Sequence, residues 1–323
     1  MSNLKKIMIG IRDSKLSLAQ TDLFLDQVNK IDEIKTNYFF EVKTIKTKGD
    51  IYNKHRLDQL GGKGLFIKEI EEQIIAENVD IGIHSLKDVP AFDTSPTLEI
   101  SCWLKRYDSR DVLVSNSGKG FLELPSGSII GTSSIRRRSQ ILNLRKDLKI
   151  KLLRGNVDTR LKKLQKGQYD AIVLSLAGMQ RLNVDDMVTE VLAYESFLPA
   201  ACQGAIGIQS KKNSDFKKIF NKLNDGDTQI VCSAEREVLK TIKANCNSPV
   251  SVKANLEKNE IKISCELFDH FGKILFKDTK VGKKNDYLAV GQLLGNKIIE
   301  TVGQNKINEL DKLENDFDYT PKD

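Results

Sequence analysis

The sequence predicts an α/β chain of two similar lobes around a cleft, followed by a smaller C-terminal α+β domain. Three observations point there. A chain of 323 residues exceeds what one hydrophobic core usually organises. A strand, turn and helix pattern occurs twice in the same order, and after Asn224 the pattern changes to closely spaced strands. The expected divisions are 1–103 with 204–222 for the first lobe, 104–203 for the second, 226–303 for the third domain, and an acidic, flexible tail over 304–323.

Taking the elements in order, "KIMIGI" (Lys6–Ile11) reads as a strand that enters a polar turn with Arg12 and Ser14, then a helix reaching Gln20. "GGKGLF" (Gly61–Phe66) lets backbone approach a ligand while Lys63 reaches over it. The following helix aligns Phe66, Ile70 and Ile74, and leads into the strand of "VDIGIHSLKD" (Val79–Asp88). In the second lobe, "SII" is a strand before "GTSSIRRRSQ" (Gly131–Gln140), and Ile141, Leu142 and Leu144 then repeat at helical spacing. "LRGNVDTRL" (Leu153–Leu161) ends one strand and opens a helix with Leu161 and Leu164, which leads into "YDAIVLSLAG" (Tyr169–Gly178). Val79–Asp88 and Tyr169–Gly178 align without a gap, 90 positions apart, as D-x-x-[IV]-x-S-L. "IMIGIRDSKLSLAQ" and "SIIGTSSIRRRSQ" make a second matched pair, so the lobes read as duplicated units. The third domain follows as a helix, the strands "VSVKANLE", "EIKISCELFD" and "KILFKDTKV", and a helix near Leu288–Ile299.

In open α/β sheets, ligands bind where strand ends meet helix starts. The chemistry-bearing residues gather at such turns. Arg136, Arg137 and Arg138 open a helix that Ser133 or Ser134 can cap, and its free N–H groups add a positive dipole end. Successive helical residues point about 100° apart, so two arginines are expected to converge on an anion and Arg138 to be solvated. Arg12, Arg154 and Arg160 occupy other strand-to-helix turns, and guanidinium groups hold carboxylates bidentately. Where the first repeat ends in Lys87 and Asp88, the second ends in Ala177 and Gly178, so one lobe carries a charge pair and the other leaves space.

The net charge is +7; the stretch 304–323 contributes three lysines against six acids, leaving +10 on the body. That surplus suits an anionic partner. With 7% aromatic residues and no basic stretch interleaved with aromatics, a small acidic ligand is favoured over nucleic acid. No apolar run reaches the length of a membrane span, and the N-terminus lacks the apolar region and cleavage site of a signal peptide. Five widely spaced cysteines without a C-x-x-C pair fit a reducing, cytoplasmic setting and argue against zinc or a disulfide frame. Cys232 and Cys265 read as buried structural residues. Cys246, in the polar loop "ANCNSPV", reads instead as a nucleophile or covalent tether.

"HSLKDVP", "GTSSIRR", "LRGNVDTRL", "GGKGLF", "LPAACQGAIGI" and the Cys-x-x-Pro loop together resemble the hydroxymethylbilane synthase family, also called porphobilinogen deaminase, in family order from Arg12 to Pro249. The resemblance implies two periplasmic-binding-protein-like lobes, and a transferase that joins four porphobilinogen molecules head to tail with release of ammonia. Growth would start on a dipyrromethane cofactor held through a thioether by Cys246, and the product would be the linear hydroxymethylbilane. It implies Asp88 as the catalytic carboxylate with Lys87 beside it. Cofactor contacts would come from Lys63, Ser85, Asp88, Thr132, Ser133, Ser134, Arg136, Arg137, Arg154 and Gly155. Substrate contacts would come from Arg12, Ser14, Gln20, Phe66, Arg154, Arg160, Arg181 and Gln203. It further implies a cytoplasmic monomer without metal, nucleic acid or membrane partners. Three positions depart from the family pattern: Gln59 stands for a lysine, Ala244-Asn245 for two glycines, and Cys202 for a glycine. An anion-binding protein without chemistry would explain the repeat and the arginines, and a nucleic-acid binder the charge. Neither uses Asp88 and Cys246.

Overall fold

The computed structural model describes residues 4–47, 67–92, 94–245 and 248–312. In chain order its first elements are β1 (Lys5–Arg12), α1 (Lys15–Val28), α2 (Asp32–Asn37), β2 (Tyr38–Ile45), α3 (Lys68–Ile75), β3 (Ile81–Ser85) and β4 (Leu98–Trp103). Next come β5 (Asp111–Ser115), β6 (Ile129–Thr132), α4 (Ile135–Leu144), β7 (Lys149–Leu152), α5 (Val157–Gln165), β8 (Ala171–Ser175), α6 (Leu176–Arg181) and β9 (Glu190–Val191). The rest of the chain supplies β10 (Ile206–Lys211), α7 (Phe216–Ile219), α8 (Gly226–Thr241), β11 (Val250–Glu257), β12 (Glu260–Phe268), β13 (Ile274–Lys283), α9 (Tyr287–Val302) and α10 (Gln304–Lys312). Two compact units result, Met1–Tyr107 with Ala205–Gln229, and Asp108–Gly204 with Ile230–Asp323.

The first unit holds a five-stranded sheet ordered β2-β1-β3-β10-β4, with β1 parallel to β2 and β3, and β10 antiparallel to both its neighbours. Strand alternation sends Ile7, Ile9 and Ile11 to one face, each at 0% exposure. There they meet Phe24 and Val28 of α1. Phe24 lies edge-on to Phe40 and Phe220, with ring centroids 5.7 and 5.3 Å away. On the other face Ile70 and Ile74, expected on one side of a helix, lie on α3 and pack with Val79 and Leu98. Burying each such aliphatic side chain stabilises the fold by about 1.5–3 kcal/mol.

The second unit repeats the plan in a sheet ordered β7-β6-β8-β5-β9. The echo extends to register: Ile9 faces Ile81 and Gly10 faces Gly82, as Ile130 faces Ala171 and Gly131 faces Ile172. The aspartate that opens each repeat explains the shared motif. Asp80 Oδ2 accepts from the Met8 N–H at 2.7 Å and Asp170 Oδ2 from the Ile129 N–H at 2.7 Å, so each carboxylate pins the next strand over. Gly131 is required by close approach, since a Cβ there would sit 2.8 Å from the Tyr169 ring. Alternate strand residues feed two cores. Leu113, Ile130, Ile150 and Val173 pack with Ile141 and Leu142 of α4, whereas Val112, Val114, Ile172 and Leu174 pack with Leu161 and Leu164 of α5.

The same unit carries the antiparallel sheet β11-β12-β13. Its β12–β13 turn abuts α4, where Asn143 Nδ2 donates to the Gly272 carbonyl at 2.8 Å. The structure departs from the expected tail, because Gln304–Lys312 is helix. Ile307 and Leu310, three residues apart, fall on one face and are 0% and 1% exposed. His270 Nε2 is 2.8 Å from the Leu310 carbonyl. Among the described residues no helix is long and apolar enough to cross a membrane.

Candidate functional site

In the first unit the expected residues gather where β1 and β3 end. Ser14 caps α1, its hydroxyl accepting from the Ser17 N–H at 3.2 Å. Gln20 Nε2, one turn deeper in α1, donates to Ser85 Oγ at 2.8 Å. After Ser85 the chain turns through a short 3-10 helix, Leu86–Asp88, held by the Leu86 N–H on the Ala205 carbonyl at 3.0 Å. That turn brings Asp88 into a concave pocket with Arg12, Ser17, Ile67, Ile83, His84 and Ser85. Lys87 is exposed at the same turn.

His84 is a pocket residue that the sequence did not single out. It is 4% exposed, and it fits because Gly82 has no side chain; a Cβ there would lie 2.6 Å from His84 Nε2. Burial pushes its pKa down to about 4, with Gln209 opposing and the Arg12 charge adding. The imidazole is therefore neutral at physiological pH.

In the second unit Ser134 caps α4, its hydroxyl 3.4 Å from the Arg137 N–H, and Thr132 Oγ1 accepts from the Ser134 N–H at 3.1 Å. Arg160 Nε donates to the Gly155 carbonyl at 2.7 Å and its NH2 lies 3.5 Å from Ser133 Oγ. Gly155 has φ +112°, a conformation that favours glycine. Arg154 accepts from Lys163 Nζ at its carbonyl, at 3.0 Å, and Arg181 NH2 donates to the Gly204 carbonyl at 2.6 Å.

Arg136 and Arg137 are organised by a residue that sequence reasoning missed. Asp111 is 0% exposed and accepts from Arg136 NH2 (2.8 Å), Arg137 Nε (3.0 Å), Arg137 NH2 (2.6 Å) and Gln203 Nε2 (3.0 Å). Carbonyls of Leu198 and Val173 take a further N–H from Arg136 and Arg137, each at 2.8 Å. Burial alone would raise the Asp111 pKa. The charges of Arg136 and Arg137, then the Gln203 hydrogen bond, outweigh it and hold the carboxyl at about 2. An arginine carries five N–H donors; these bonds use two on Arg136 and three on Arg137. No local pattern marks Asp111. It opens β5 opposite Ser175, at the register position where the first sheet sets Ile206 opposite Ser85.

The structure overturns one expectation here. Arg138, expected in solvent, is 4% exposed. The helix it belongs to lies under the turn of the small sheet, and its charge reaches His270 of that turn. Cys232 and Cys265 are buried at 0% exposure, on α8 and β12. Gln59, Lys63, Phe66 and Cys246 lie outside the described residues. Asn245 and Ser248, on either side of the undescribed pair 246–247, both donate to Asp311 of α10, Asn245 Nδ2 at 2.9 Å.

Two α/β units of one topology, each with polar and charged groups at its strand ends, define the class of fold. Its sequence matches the family profile "Porphobilinogen deaminase, dipyromethane cofactor binding domain" over residues 7–219, and the porphobilinogen deaminase C-terminal domain over 229–300. It is 40% identical over 297 residues to a porphobilinogen deaminase of Bacillus cereus strain G9842, covering 90% of this chain and 95% of that one. A porphobilinogen deaminase of Bacillus thuringiensis subsp. konkukian is 42% identical over 282 residues, covering 86% of this chain and 90% of the other. Among solved structures, a periplasmic sulfonate-binding protein of Methylobacillus flagellatus superposes with a TM-score of 0.40 at 14% identity, over 73% of this chain and 69% of that one. The chain belongs to the porphobilinogen deaminase family.

The family's dipyrromethane brings pyrrole N–H donors and acidic side chains. In the first unit the Asp88 carboxylate lines a polar pocket and is an acceptor of the kind such N–H groups need; in the second unit Arg160 donates to the Gly155 carbonyl beside Ser133.

Proposed function

We propose that this chain joins four porphobilinogen molecules head to tail, on a dipyrromethane attached through a thioether to Cys246, and releases them by hydrolysis as hydroxymethylbilane, water supplying the hydroxyl to the product and a proton to the pyrrole carbon left behind. Each addition breaks the aminomethyl C–N bond of the incoming substrate, releases ammonia, forms a carbon–carbon bond to the free pyrrole carbon and expels that carbon's proton. When bound, the dipyrromethane supplies the pyrrole to which the first substrate is joined. The Asp88 carboxylate accepts hydrogen bonds from pyrrole N–H groups and stabilises the positive charge that develops on the rings. Proton transfer at its oxygens is secondary. Arg12 and Ser85 orient the reacting unit beside it, with Gln20 holding Ser85 in place. Ser133, Arg154 and Arg160 take acetate and propionate groups, while Asp111 fixes Arg136 and Arg137 so that their remaining N–H groups meet carboxylates in one geometry. The observation that carries this reading is Asp88 facing Arg12 and Ser85 in one pocket, in a chain of this family.

Intact mass spectrometry tests it. The purified protein is expected to be heavier than its sequence by one dipyrrole, and the Cys246→Ser variant to have its bare mass and make no tetrapyrrole. Active protein of unmodified mass, or a tether that moves away with Cys202→Ser instead, would overturn the assignment. The same reading has the enzyme acting as a monomer in the cytoplasm, which sedimentation and cell fractionation check.

A further inference from the structure

We propose that Cys202, Cys232 and Glu235 form a binding site for a thiophilic divalent cation of the zinc and cadmium class. Their ligand atoms all lie within 4.8 Å of one another. The three residues are 1%, 0% and 0% exposed. The sequence argued against a metal because it has no C-x-x-C pair. The fold supplies what spacing does not: Cys232 and Glu235, three residues apart, share one face of α8, and the turn before β10 brings Cys202 onto that face from 30 positions upstream.

The cluster is held in place from several sides. Cys202 has φ +59°, a left-handed conformation costly for a side-chain-bearing residue. Its N–H donates to Glu235 Oε2 at 2.5 Å, and its thiol donates to the Cys232 carbonyl at 3.5 Å. Glu235 Oε1 accepts from the Ala254 N–H of β11 at 2.8 Å. These bonds orient the Glu235 carboxylate beside the two sulfurs. A tetrahedral ion with metal–sulfur bonds of about 2.3 Å and metal–oxygen bonds of about 2.0–2.2 Å needs donor atoms roughly 3.5–3.8 Å apart. Closure by about 1 Å achieves that.

Binding exchanges two thiol protons for one cation, forms two metal–sulfur bonds and one metal–oxygen bond, and transfers no electrons. Two thiolates and a carboxylate around a divalent ion leave one net negative charge, and the Arg236 guanidinium sits close enough to act on Cys202. Gln203, next in the chain, donates to the Ser109 carbonyl at 2.7 Å and to Asp111. A bound ion therefore staples α8 to the turn that completes the Asp111 clamp.

The test uses full-length, cofactor-loaded protein, reduced and stripped with a chelator, then titrated with cadmium. Thiolate-to-metal charge-transfer absorbance, released protons and native mass are followed together. One equivalent should bind with release of two protons, and Cys202→Gly should weaken binding by about 100-fold or more. Glycine suits φ +59°, so this variant stays folded even if Cys232→Ala does not. Cys102→Ser, in the other unit, should bind as the parent does. Equal cadmium affinity in the parent and Cys202→Gly, no uptake by the parent, or a Cys202–Cys232 disulfide in its place would overturn the site.

Discussion

Replacing Asp111 by Asn should destabilise the second unit more than any exposed charge change could. The substitution keeps the side-chain shape, removes the charge and turns an N–H donor toward groups that are themselves donors, Arg136, Arg137 and Gln203. Lowering the carboxyl from 3.8 to about 2 in the fold means that the charged form gains about 2–3 kcal/mol over the protonated one. Asn also leaves two guanidinium groups, on residues 5% and 6% exposed, without their counter-charge; breaking a buried pair in this way costs about 3–5 kcal/mol. The expected loss near neutral pH is therefore about 3–5 kcal/mol, or a melting temperature lower by roughly 10 °C. Because the folded pKa lies below the unfolded one, this stability is fully present above 3.8 and is lost as pH falls through about 2. Urea unfolding by far-ultraviolet circular dichroism, from about pH 7 down to about pH 2, should show the variant and the parent converging in acid. A difference under about 1 kcal/mol at neutral pH, or one that stays constant into acid, would refute the clamp. Adding Arg136→Met to Asp111→Asn should recover part of the loss, since one uncompensated charge is removed.

Asp88→Asn should fold and keep most of its substrate affinity while turnover falls by about 100- to 1000-fold; near-normal ammonia release in single-turnover assays on cofactor-loaded protein would remove Asp88 from the centre of the reaction. Arg138→Leu should lose about 1–3 kcal/mol, because a side chain only 4% exposed leaves its neighbours without their partner, and unchanged urea midpoints would argue against that burial. The His84 imidazole should titrate near 4 by NMR, so stability is lost as pH falls from 6.5 through about 4; an ordinary midpoint would place the ring in water.

Much of the molecule is written locally. Alternation in "KIMIGI" specified β1 because strand side chains point to opposite faces every second residue, and Ile70, Ile74, Leu161 and Leu164 marked their helices by the same kind of short-range geometry. The repeated aspartate, Asp80 and Asp170, announced two sheets of one topology because each makes the same strand-pinning bond. A serine cap at Ser133 or Ser134 could be read from the neighbours alone, and the structure makes it Ser134. The family motifs fixed the class of reaction, since they lie in order along one chain. What covers a given face is a different matter, because it depends on elements distant in sequence. Arg138 reads as an exposed helical residue until the β12–β13 turn is laid near it, and Ile307 and Leu310 read as part of an acidic tail until they find a core. Asp111 looks like any charged residue beginning a strand. Only the register that sets it opposite Ser175, within reach of two arginines from α4, makes it a buried counter-charge. Cys202 and Cys232 are 30 positions apart and carry no spacing signature, and a turn packed on a helix brings their sulfurs together. Propensity and periodicity act over a few residues, whereas desolvation and charge pairing act through space, so the elements were legible in the sequence and the electrostatic partners were decided by the fold.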